Sequence, residues 1–256
     1  MKYLIPVFLF SVLLNSCNTK KEEEKKVKIR FEMKTFRLES KGGCSSDSLL
    51  CAYFEINYPV INGLPQAAQD SLSIEIAKSV STGNPEIDSV SFQKDGKVFI
   101  SEFETFVAEY PDNTMGWSFE ATVDVSIVGD SLIALTTTNE SFTGGAHGSY
   151  GTYFINLDPK SGKRVTLSDL LKPGYESALL KAGEEEFRNS LELQDSVTYS
   201  DAGYEFPNDV FQLNDNYGFT KEGIRFVFNI YEVAPYVLGA QDFVIPYEKI
   251  KDWLKR

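Results

Sequence analysis

The residue types that could do chemistry gather in one stretch, Ser141 to Asp158, SFTGGAHGSYGTYFINLD. It holds the chain's single histidine, His147, among Gly144, Gly145, Gly148 and Gly151. An imidazole with an ordinary pKa of ~6.5 can exchange a proton near neutrality. A catalytic base also needs a nucleophile within reach and a group to orient it. Ser141, Thr143 and Ser149 are near in sequence but form no known nucleophile motif. His147 therefore has three readings: a ring that packs to hold a backbone crossing, a ligand contact, or a base. Gly144 and Gly145 join it as binding candidates, because glycine permits tight turns and close approach. A second candidate is YEVAPY, where Tyr231, Glu232 and Tyr236 flank Pro235. These residues would line a surface, or else pack at a sheet edge ended by proline.

Other chemistries are excluded by count or by pattern. One histidine rules out histidine-pair metal sites, and Cys44 and Cys51 have no further ligand nearby. No Walker, Rossmann or zincin motif is present. Neither a metal nor a cofactor is expected, and no catalytic residue is assigned. With 37 acidic residues, some pair of carboxylates is always available, so carboxylate pairs alone do not argue for glycan hydrolysis. The formal net charge of −12 would be repelled by nucleic acid. An acidic surface serves solubility, and it also suits a basic partner.

The elements that must position these residues read as α+β. Antiparallel sheets carry helices packed on one face, in two sequential subdomains. Val27–Ser40 and Leu49–Val60 alternate with period two and pair as a hairpin. Ile29, Phe31 and Met33 are expected on the buried side of the first strand. Leu64–Val80 is helical. Ser81–Lys97 reads as loop, and Val98–Tyr110 as a helix with Phe99, Phe103, Phe106, Val107 and Tyr110 on one face. Trp117–Val128 and Ser131–Phe142 form a hairpin about Gly129-Asp130. Tyr150–Leu157 is a strand, and Ser168 the N-cap of a short helix. Tyr175–Leu193 is an amphipathic helix. Val210–Leu213, Phe219, Ile224–Tyr231 and Asp242–Pro246 are strands, and Tyr247–Leu254 is a closing helix.

The N-terminus resembles a bacterial lipoprotein signal peptide. Lys2 precedes an apolar run, Tyr3–Leu14, too short to span ~30 Å of hydrocarbon. Leu14-Asn15-Ser16-Cys17 then matches a lipobox. The resemblance implies cleavage after residue 16 and lipidation (palmitate among the acyl chains) of Cys17. The alternative is an uncleaved anchor or an ordinary secretory signal. Asn18–Lys26, NTKKEEEKK, is a charged tether that cannot bury a core. It is similar to an outer-membrane surface-export signal, and equally to a plain linker. In an exported compartment Cys44 and Cys51 form a disulfide or remain two free thiols.

Three stretches carry a wider resemblance: TGGAHG at Thr143–Gly148, YFINLDPKSGKRVTLSDLL at Tyr153–Leu171, and Phe211–Ile250 with YEVAPY inside it. Together they resemble the RsiV C-terminal-domain-like family, a domain of unknown function whose best-described relative senses lysozyme. Residues 29–142 are similar to the domain that precedes the catalytic part of the peptidoglycan deacetylase PdaC. The chain then divides into a signal peptide (1–16), a tether (17–26), a PdaC N-terminal-like domain (27–142) and an RsiV C-terminal-like domain (143–256). The resemblance implies an extracytoplasmic module. A lipid anchor replaces the transmembrane helix of the anti-sigma factors. Neither their sigma-binding segment nor the deacetylase's catalytic part is recognised, so those activities are not carried over. The expected function is a lipid-anchored cell-envelope binding protein, of the outer membrane, for lysozyme, another basic protein or a peptidoglycan component. The alternative is an envelope glycan-modifying enzyme using His147 with carboxylates.

Overall fold

The described chain begins with two strands, β1 (Arg30–Glu39) and β2 (Ala52–Asn62), paired antiparallel. The computed structural model describes residues 29–44, 50–81 and 91–255; the signal peptide, tether and Cys17 lie outside the described residues. Cys44 and Cys51 are joined as a disulfide, with Cα atoms 5.5 Å apart. In β2, Ala52, Phe54 and Ile56 point into the core. In β1 the expected face is the wrong one. Its core-side residues are Phe36 and Leu38, opposite Ile56 and Phe54. The apolar positions change phase at Thr35, so Phe31 and Met33 lie on the other face, 49% and 44% exposed. Alternation fixes a period, and the partner strand decides which phase is buried.

Helix α1 (Gln66–Val80) buries Ala68, Leu72, Ile76, Ala77 and Val80. Helix α2 (Phe92–Glu109) starts well before Val98 and takes Gly96 into its first turns. A Cβ on Gly96 would stand 2.9 Å from both Leu38 Cδ1 and Phe54 Cδ1. The glycine that reads as loop is instead what lets the helix lie close on the sheet. The two helices carry the chain across to β3 (Trp117–Val128), which pairs parallel with β2. Among the described strands this is the one parallel pair, and parallel neighbours require such a long connection. β4 (Ile133–Phe142) returns antiparallel through Gly129–Leu132, with Gly129 N–H donating to Leu132 O at 2.9 Å, a longer turn than the expected Gly129-Asp130. β5 (Ser149–Leu157) completes a sheet of order β1-β2-β3-β4-β5. The first sheet thus extends past position 143. Phe54 stacks on Phe119 at 4.6 Å in the core beneath α1 and α2.

The second unit starts with α3 (Leu167–Leu170). Its cap is Thr166, not Ser168: the Thr166 N–H and hydroxyl each donate to Asp169 Oδ2 at 2.8 Å. Helix α4 (Glu176–Ser190) packs on a three-stranded antiparallel sheet of β6 (Tyr217–Phe219), β7 (Gly223–Phe228) and β8 (Gln241–Pro246). Val210–Leu213 forms no strand; Phe211 drops into the core instead. The closing Tyr247–Trp253 segment is a 3-10 helix. Phe187 of α4 is the hub of this core, with Phe206, Phe211, Phe228 and Phe243 rings 5.2 to 5.7 Å away.

The two sheets are clasped through β5. Asn156, 1% exposed, donates from Nδ2 to Tyr217 O at 3.0 Å and accepts at Oδ1 from Phe219 N–H at 3.1 Å. One side-chain amide thus satisfies two backbone groups of β6. Asn229 does the same for Thr152 on β5, accepting its N–H at 2.8 Å and donating to its carbonyl at 3.1 Å. β6 comes this close because of Gly218, where a Cβ would stand 2.2 Å from Phe154 Cδ1.

Replacing Asn156 by Ala leaves buried Tyr217 O and Phe219 N–H unpaired. Urea titration should show a loss of about 2–6 kcal/mol, at roughly 1–3 per orphaned group. A second outcome concerns alkaline pH. Burial, joined by the neighbouring Glu222 carboxylate, pushes Tyr247 up to about 12. Burial, with Glu184 adding and Arg188 opposing, pushes Tyr199 up to about 12. Unfolded tyrosines ionise near ~10, so the folded state holds these protons more tightly. Their stabilisation is complete below pH ~10 and is lost as pH rises toward about 12. Melting temperatures measured from pH 9 to 12 should fall across that window, and less so in Tyr247→Phe.

Candidate functional site

The loop from β4 to β5 is built to turn a side chain outward. Gly144 and Gly145 have φ of +96° and +94°, backbone that L side chains rarely adopt. His147 is exposed at the loop's tip. Its ring stacks on Tyr236 at 3.8 Å with planes 21° apart. Nδ1 lies 2.9 Å from Gly148 O, and Nε2 lies 3.3 Å from the Tyr231 hydroxyl. A carbonyl can only accept, so Nδ1 carries the proton, and in the neutral ring Nε2 accepts from Tyr231. Tyr150 meets Tyr236 edge-on at 6.0 Å.

Tyr231 is presented by strain. It has φ +65° and is 62% exposed. Glu232 holds that turn from the other side: its Oε2 accepts Asn229 N–H at 2.9 Å, and its Oε1 accepts Asn214 Nδ2 at 2.7 Å. Pro235 then leads into a short 3-10 turn, Tyr236–Leu238, with Val237 88% exposed. Gly144, Gly145, His147, Tyr231 and Tyr236 are thus brought together in one ridge. Glu232 supports the ridge but contacts Asn214 and Asn229 rather than His147. The described contacts of the His147 ring are phenols and a carbonyl, with no carboxylate or nucleophile among them.

A neighbouring feature is absent from the sequence reading. Strand register places Arg37, Glu55, Glu120, Glu140 and Tyr150 side by side across all five strands. They share the face of the sheet opposite α1 and α2. Arg37 donates to Glu55 Oε2 at 2.7 Å and lies 4.4 Å over the Tyr53 ring. The Tyr53 hydroxyl donates to Glu120, and that carboxylate, ahead of burial, raises the Tyr53 pKa. Asn57, Thr122, Thr138 and Thr152 form the next row. Between the rows is a hollow of about 220 Å³ lined by Glu120, Thr122, Thr138, Glu140, Tyr150 and Thr152. Carboxylates directly opposite on adjacent strands, ~4.8 Å apart, repel one another. Alternating polar residues were visible in each strand, but only the pairing register aligns them. Among the described residues, no group of three or more His, Cys, Asp and Glu is placed to hold a metal ion. No described helix is long and apolar enough to cross a membrane.

Fold and surface together define an α+β protein of two clasped units with an exposed aromatic ridge beside an open sheet face. Residues 45–150 match the family model described as deacetylase PdaC, and residues 168–248 match that of a protein of unknown function, DUF3298. No curated protein matches the sequence significantly. Among solved structures, the chain is similar to a DUF3298 family member from Bacteroides fragilis, with TM-score 0.67 and 22% identity over 90% of this chain and 95% of that one. It is also similar to a DUF3298 family protein from Pseudomonas aeruginosa, with TM-score 0.62 and 21% identity over 90% and 96%. At that identity the likeness concerns the fold.

The single histidine makes the tautomer measurable. In the neutral ring, nitrogen-15 NMR should show His147 protonated on Nδ1, the less usual tautomer in solution. Tyr231→Phe should shift the Nε2 resonance and leave Nδ1 bonded to Gly148.

Proposed function

We propose that this protein is a lipid-anchored binding protein of the cell envelope, which captures a basic protein such as lysozyme on the open face of its first sheet. The supporting observation is continuity. Tyr150 stands next to Glu140 in register and packs edge-on against Tyr236. The row of glutamates therefore runs into the ridge of Tyr236, His147 and Tyr231. Tyrosine offers a large contact area at low entropic cost. A lysine- or arginine-rich partner would relieve the repulsion among Glu55, Glu120 and Glu140. The acidic chain as a whole would steer such a partner in. Lipidation at Cys17 and the Asn18–Lys26 tether would hold this face off the outer membrane. His147, with both nitrogens engaged and its ring stacked, suits a platform better than a catalytic base.

Calorimetry on a chain beginning at Lys26 tests this reading with lysozyme and with peptidoglycan fragments at two salt concentrations. Lysozyme should bind with micromolar or tighter affinity, and raising salt from about 50 to 200 mM should weaken it several-fold. The pair Glu120→Gln and Glu140→Gln, and separately Tyr231→Ala, should each weaken it by about tenfold. Absence of lysozyme binding, or binding indifferent to these changes, would overturn the proposal. Binding of the fragments alone would move the reading to a peptidoglycan component.

A further inference from the structure

Among the described residues, the outer edge of β1 is the other unfinished part of the first sheet. β1 is ten residues long and stands at the end of the strand order, with β2 on one side. Such an edge offers a row of backbone donors and acceptors to any strand that fits. The direction of those groups can be assigned. Ser40 N–H donates to Ala52 O at 2.8 Å, so even-numbered residues of β1 bond to β2. The N–H and C=O of Phe31, Met33 and Thr35 then point outward. Their side chains lie on the open face, where Phe31 and Met33 are exposed. Glu32 and Lys34, on the other face, are exposed and have no partner among the described residues.

We infer that a second copy of this chain pairs with β1, antiparallel, about a two-fold axis through Met33. In that register Met33 opposes Met33 of the second copy, and Phe31 opposes Thr35. Glu32 opposes Lys34 of the second copy, and Lys34 opposes its Glu32. The outward groups of Phe31, Met33 and Thr35 form the hydrogen-bonded pairs. The Glu–Lys pairs fall at the closer, non-hydrogen-bonded positions, where side chains interact most strongly. Moving the axis by one residue destroys this fit. Centring on Glu32 opposes Glu32 to Glu32 and Arg30 to Lys34, and centring on Lys34 opposes Lys34 to Lys34. Of these three axes the charge pattern selects the one through Met33, and a second copy supplies both reciprocal Glu–Lys pairs by symmetry. The result is a continuous ten-stranded sheet, five strands from each copy. Its open face carries Phe31 and Met33 of both chains as one apolar patch, joining the two rows of glutamates.

The test uses Met33→Cys in the full chain. Cα atoms of a hydrogen-bonded antiparallel pair lie about 5.5 Å apart, within disulfide range. Oxidation should give a covalent dimer in far higher yield than Val237→Cys, which is off the axis although more exposed, 88% against 44%. The wild-type chain accounts for any crosslink through Cys17. Adding Glu32→Lys or Lys34→Glu to Met33→Cys opposes like charges and should weaken pairing by about tenfold. Making both charge changes together should restore it. Met33→Cys crosslinking no better than Val237→Cys would overturn the inference. So would a crosslink yield that neither single charge change lowers. All these side chains are exposed, so the variants fold.

Discussion

The joint between the two sheets is centred on one buried amide. Asn156 sits on the last strand of the first sheet and bonds both a carbonyl and an N–H of β6. It does for two sheets what a backbone residue does for neighbouring strands. At 1% exposure, an unpaired amide there would be costly, so the arrangement is met fully or not at all. Asn216 and Asn229 extend the device by satisfying the outer edge of β5 at Thr152. An edge that would otherwise template aggregation becomes the joint between the two units.

The open surface follows from where that joint falls. Asn156 and Ala134 oppose each other on the face away from α1 and α2, and Ala134 belongs to the second unit's core. The second unit therefore covers one end of that face. The other end, with Glu55, Glu120, Glu140 and Tyr150, stays uncovered. The His147 loop, crossing from β4 to β5, reaches the second unit's Tyr231 and Tyr236 at the rim of the joint. The ridge is thus assembled from both units, and the clasp fixes its geometry.

The elements were largely legible, and the misses share a cause. Strand and helix periods located β2, β3, β4, β5, α1 and α4. Gly96 falls in a stretch that reads as loop, but a helix that must pack closely on Leu38 and Phe54 needs a glycine there. β1 was assigned the wrong buried face, because Phe31 and Met33 are as apolar as Phe36 and Leu38. Val210–Leu213 had a strand's composition, yet Phe211 is used as a core plug around Phe187. In each case a long-range contact outweighed a local preference.

The sequence by itself determined the α+β class, the acidic balance and the glycine loop that presents His147. These depend on composition and on neighbours along the chain. Tertiary structure alone decided that His147 meets Tyr231 and Tyr236, eighty-odd residues away, and that Glu232 supports their turn instead of joining them. It alone aligned Arg37, Glu55, Glu120, Glu140 and Tyr150 into one row. Register is a property of strand pairs, and a shift by one residue would send each of those side chains to the opposite face.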